Sequence, residues 1–124
     1  MHRRFDRAQT AELRCPGGSV DAVVAKGFRL RLLGLTRIAP DEIEPLLFER
    51  CRSIHMHGMK TAIDLVWLEM DGAAARVLGV VEALSPGRHA RAPRGASRRC
   101  AALELSPGAA ERLGVAPGVS LCLA

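Results

Sequence analysis

Between residues 62 and 70 the chain reads Ala-Ile-Asp-Leu-Val-Trp-Leu-Glu-Met, with apolar side chains on both parities. In an extended chain Ile63, Leu65 and Trp67 share one face, and Asp64, Val66, Leu68 and Met70 share the other. Both faces are mainly apolar, which predicts a central strand covered on each side. Asp71-Gly72 supplies a hairpin signal and Arg76 to Leu84 the return strand. Arg99 to Leu105 alternates Ala101, Leu103 and Leu105 against Cys100, Ala102 and Glu104, and predicts a further strand.

The flanks read in the same way. Leu13 to Cys15, Pro16-Gly17-Gly18-Ser19 and Val20 to Ala25 give strand, turn and strand. Phe28 to Leu35 mixes basic and apolar residues and fits a short helix or a bent strand. Pro40 to Pro45 is a predicted turn, and Leu46-Leu47-Phe48 a short buried strand. One helix is clearly punctuated: Ser106 suits the N-cap, Pro107 the first helical position and Gly114 the stop. Pro117-Gly118 turns into a last strand, Val119 to Leu123, while residues 85–97 form a Pro/Gly/Arg-rich loop. The expected fold is therefore mainly β, a compact antiparallel β-sandwich or barrel-like domain with one or two short helices. Residues 1–10 are charged and expected as a flexible lead-in, with a single domain over 11–124.

Composition narrows this picture. At 124 residues and 48% hydrophobic the chain can bury a single core, built from Leu, Val, Ile and Ala because only 3% is aromatic. No window approaches the run of about 18 apolar residues that a membrane helix needs. The charged start, Met1 to Arg7, lacks an apolar signal region, which predicts a cytoplasmic protein. Net charge of +5 favours anionic partners. The cysteines, Cys15, Cys51, Cys100 and Cys122, contain no CxxC pair, so they are expected as buried thiols behaving as small hydrophobes.

Candidate chemistry concentrates in Ser53 to Asp64, which holds two imidazoles, two thioethers, a lysine and a carboxylate. If the segment is extended, His55 and His57 point the same way and are weak metal candidates. Met59 would favour copper(I) and Asp64 zinc. Two histidines without a third strong ligand make a poor site, so no metal is expected. Asp64 and Glu104 each sit in an apolar strand, where a lone carboxylate is costly. They could serve as general acid and base if their environments differed, or they could pin strands by accepting hydrogen bonds. No nucleophile with a matched base is visible. Neither is any phosphate-cradling glycine loop, so no cofactor is expected.

Arg88, Arg91, Arg94, Arg98 and Arg99 occur with no acidic residue between Ser85 and Arg99. They could contact phosphates. The loop lacks aromatic residues on which bases would stack, which disfavours nucleic acid as a partner.

Three motifs occur in one order. They are Arg31-Leu32-Leu33-Gly34-Leu35; Ile54-His55-Met56-His57-Gly58-Met59-Lys60 leading to Ile63-Asp64; and Leu103-Glu104-Leu105-Ser106-Pro107-Gly108 followed by Arg112-Leu113-Gly114 and Pro117-Gly118. That order resembles the DUF192 family, a small uncharacterised prokaryotic domain, over residues 13–123. The resemblance implies a compact, largely antiparallel β-sandwich and no established activity. His57 stands where the family more often carries an aromatic residue.

The expected role is non-catalytic binding of a small ligand, an ion or a protein partner. Its site would be a polar rim formed by His55, Met59, Lys60 and Asp64, with Glu104 nearby. A small metal-dependent or hydrolase-like enzyme using His55, Asp64 and Glu104 is the alternative. A third reading is an anion-binding adaptor acting through Arg88 to Arg99.

Overall fold

The computed structural model describes residues 9–25, 38 and 43–124. The segment 28–35, the start of the 40–45 turn and most of the N-terminal lead-in lie outside the described residues. Nine strands occur among those described: β1 (Thr10–Cys15), β2 (Gly18–Val24), β3 (Leu46–Phe48), β4 (Ser53–His55), β5 (Ile63–Asp71), β6 (Ala74–Leu84), β7 (His89–Arg91), β8 (Cys100–Leu105) and β9 (Ser120–Leu123). One short helix, α1 (Ala109–Arg112), lies between β8 and β9.

Seven strands close into a barrel in the order β1-β2-β3-β8-β5-β6-β9, and β1 seals it against β9 by pairing Leu13 with Leu123. The expected mainly-β domain is thus a closed barrel rather than an open sandwich. Every pairing is antiparallel except β2 with β3, which run parallel. Strands β4 and β7 form a separate two-stranded ribbon. Gly72, at φ 60, opens the two-residue β5–β6 turn and supplies the left-handed conformation that a twist-matched hairpin requires.

Alternation sorts the side chains into two cores. Leu13, Ala22, Leu47, Val66, Leu68, Ala75, Leu103 and Leu121 come from all seven barrel strands and fill the interior, joined by Ala109, Ala110 and Leu113 of the α1 region. The opposite parity of β2, β3, β5 and β8 places Val23, Leu46, Leu65, Trp67 and Ala102 on the outside, together with Ile63 and Cys100. That outer face is covered by Ile54 of β4 and by Met56. Strand β5 is therefore buried on both faces, as its apolar double parity predicts.

The helix differs at its start from expectation. Ser106 is not the N-cap; Gly108 is, in a left-handed conformation at φ 87, and no residue of the helix's own turn caps it with a side chain. The free amides are taken instead by Asp64 of β5, whose Oδ2 accepts from Gly108 and Ala110 at 3.0 and 3.1 Å. A carboxylate from across the fold has replaced the local serine. The stop falls as predicted, with Gly114 at φ 68.

Candidate functional site

Asp64 is fully buried. Besides the two helix amides, its Oδ1 accepts from the Ala83 amide at 2.9 Å. Ala83 is free to donate because β6 carries an irregularity here: Ile63 pairs with Leu84 but Leu65 pairs with Val81, leaving an extra residue on β6. Ala83 itself takes φ 51. One carboxylate thus binds the β5 strand, the β6 irregularity and α1 together. Fully buried and held by three backbone donors, the carboxylate is closed to a ligand, and Asp64 serves as a latch.

Glu104 lies one residue out of step. Asp64 stands opposite Leu105, whereas Glu104 stands between Leu65 and Leu46. The two carboxylates therefore project to opposite faces of the barrel wall, Asp64 inward and Glu104 outward. Burial pushes the Glu104 carboxyl up to about 7. Separated by the sheet, they do not form an acid–base pair.

His55 is exposed on the outer side of β4, and His57 and Lys60 are exposed beyond it. Met59 is half-buried and packs on the outer core beside Met56. The predicted rim is split: His55, His57 and Lys60 face solvent, while Asp64 and Glu104 are enclosed in different cores. Among the described residues, no three of His, Cys, Asp or Glu gather into a metal-binding group.

The arginines behave differently. The Cys51 amide donates to the Cys100 carbonyl at 2.9 Å, which lays the segment after β3 alongside the start of β8. Arg50 and Arg52 are thereby brought to Arg98 and Arg99, and these four line one cleft of about 550 Å³. Arg52 also donates to the Ala96 carbonyl at 3.5 Å. Arg50 holds a left-handed backbone, φ 52, which a non-glycine residue adopts at some cost. An adjoining depression of about 400 Å³ adds Glu49, Met70, Asp71 and Gly72 to three of the same arginines.

Only Arg99 of the four is in an ion pair among the described residues, with exposed Asp71 at 3.8 Å. Ser97 helps to fix the loop, donating to Glu69 at 2.8 Å and accepting from the Arg99 amide at 3.0 Å. Of the five predicted arginines the cleft takes Arg98 and Arg99, and not Arg88, Arg91 or Arg94. Arg50 and Arg52 lie far off in sequence, outside the arginine run between Ser85 and Arg99. Their alternation around Cys51 was the available signal.

The thiols follow expectation in part. Cys100 is buried and Cys15 and Cys51 are partly so, but Cys122 is exposed because it faces outward on β9. Burial, assisted by the Glu69 charge, pushes the Cys100 thiol up to about 11.

Known proteins are similar across nearly the whole chain. The DUF192 family, described as "Uncharacterized ACR", matches over residues 11–123. No curated protein matches the sequence. A protein of unknown function from Novosphingobium aromaticivorans shares the fold at 20% identity with a TM-score of 0.69, covering 94% of this chain and 84% of that one. A second structure, described as a "putative transcription regulator" from Sinorhizobium meliloti, shares it at 23% identity with a TM-score of 0.67, covering 94% of each chain. Identities this low speak to the fold alone.

Proposed function

The chain belongs to the DUF192 family, and from that premise we propose a non-catalytic binding domain whose ligand is an anion carrying two or more phosphate or carboxylate groups. The single observation behind this reading is the cleft lined by Arg50, Arg52, Arg98 and Arg99. Guanidinium groups are planar, permanently charged and matched in geometry to phosphate and carboxylate oxygens. A volume of about 550 Å³ falls within the range of small-molecule sites. Four arginines lining one cleft raise its positive potential, and an anion seated there offsets it.

A catalytic reading has less support. Asp64 is consumed by three backbone amides, Glu104 faces the other side of the wall, and His55 lies on the outer ribbon. Binding rather than turnover fits a site made of arginines.

Pyrophosphate titrated into the full chain over a salt series tests the proposal. Affinity should fall steeply as salt rises. Arg52→Ala and Arg98→Ala should each weaken binding by about tenfold, the loss of one charge-assisted hydrogen bond. Arg88→Ala, away from the cleft, should leave affinity unchanged. A response independent of salt, or equal losses at Arg88 and Arg98, would sink the assignment.

A further inference from the structure

The outer ribbon carries a feature that sequence spacing hides. His55 of β4 stands directly opposite His89 of β7, with Ile54 opposite Ala90 and Ser53 opposite Arg91. The Met56 amide donates to the Arg88 carbonyl at 2.7 Å, one step beyond this pair, and the Ala92 amide donates to the Arg52 carbonyl at 2.8 Å at the other end. That pattern makes His55 and His89 a non-hydrogen-bonded pair, the kind in which side chains approach most closely. Cβ atoms in such pairs lie about 4.5 to 5.5 Å apart. Ile54 is buried against the outer core, so the flanking parity, His55 and His89, points to solvent. Both imidazoles are exposed and neither is held by a hydrogen bond among the described residues.

We propose that His55 and His89 form a two-imidazole chelate for a divalent transition-metal ion of the nickel, copper and zinc class. Imidazole nitrogen suits these ions and binds them at about 2.0 to 2.1 Å in the case of zinc. Two rings side by side on one face can turn their nitrogens onto a common ion without moving the backbone. The ribbon supplies that rigidity through its own hydrogen bonds and through Ile54 and Ala90 packed on the outer core. No third His, Cys, Asp or Glu joins them among the described residues, so water fills the remaining positions. Arg91, next to the pair on the same face, adds a positive charge and holds the affinity to the moderate range of a two-ligand site. The proposal is independent of the arginine cleft: it rests on other residues and on other chemistry.

Calorimetric titration of the full chain with Ni²⁺ at pH 7.5 tests it, with Cys122→Ser as the parent to remove the exposed thiol. One saturable ion per chain is expected. His55→Ala and His89→Ala should each abolish the saturable phase, and the double variant should lose no more. His57→Ala should retain it. Far-UV circular dichroism of each variant checks folding, which exposed ribbon positions should not disturb. Electron paramagnetic resonance with one equivalent of Cu²⁺ should show two nitrogen ligands in the parent and lose that signal in His89→Ala. Survival of binding in His89→Ala, its loss in His57→Ala, or no saturable phase in the parent would each overturn the chelate.

Discussion

Replacing Asp64 by alanine removes the acceptor shared by the Ala83, Gly108 and Ala110 amides, bonded at 2.9, 3.0 and 3.1 Å. A hydrogen bond to a charged group contributes about 1.5 to 3 kcal/mol, and a buried donor left unsatisfied costs about 1 to 3 kcal/mol. The Ala110 bond is buried, while the other two are partly so and can recruit water. Weighting them accordingly gives a loss of about 3 to 5 kcal/mol, a third or more of the stability of a small domain. The melting temperature should fall by about 12 to 20 °C, at roughly 4 °C per kcal/mol. Asp64→Asn keeps the shape and one acceptor but turns an amide against one donor, and should cost about 2 kcal/mol. Trp67, the sole tryptophan and nearly fully buried, reports unfolding by fluorescence in a urea series. A cost below about 1 kcal/mol for Asp64→Ala, with an unchanged urea slope, would refute the latch.

Three further outcomes follow from other sites. In the folded chain Glu104 titrates near 7 against an ordinary value of 4.5, so the folded state binds more protons between those pH values. Its contribution is fully present below 4.5 and is lost as pH rises to 7, by about 3 kcal/mol; Glu104→Gln should equal the parent at pH 4.5 and exceed it at pH 8 in urea midpoint. Gly17→Ala would place a Cβ 2.6 Å from the Arg112 carbonyl oxygen, a backbone atom that cannot step aside, so urea unfolding should show a loss of about 1 to 3 kcal/mol. Thiol titration in native buffer should label Cys122 first and Cys100 only on unfolding, since Cys100 is buried and its thiol is raised to about 11.

Long-period strands were legible where side chains alone decide them. The double parity of Ile63 to Met70 announces a strand sandwiched between two cores, and the alternation from Cys100 to Leu105 does the same for its neighbour. Strand β7, three residues inside a loop rich in Pro, Gly and Arg, carries no such signal. It exists because Ile54 needs cover and a partner strand, a tertiary demand that local sequence does not express. The helix cap failed for the same reason: Ser106 satisfied the local rule, but Asp64 reached the amides from a distant strand. At the candidate site, residue types were readable and convergence was not. Asp64 and Glu104 differ by one step of register, which no spacing argument across 40 residues can fix. Arg50 and Arg52 joined Arg98 and Arg99 through one backbone bond between Cys51 and Cys100.

Sealing the barrel by pairing Leu13 with Leu123 also governs how the chain reaches its native state. The β5–β6 and β1–β2 hairpins form from neighbours in sequence, but the last seam joins strands separated by almost the entire chain. Loop-closure entropy must be met before that seam returns any stability, which sets folding in the millisecond-to-second regime of non-local β topologies. Until it closes, β1 and β9 each present an unpaired edge to other chains. A barrel opened at that seam exposes both edges, and edge-to-edge pairing between chains is the aggregation route it offers.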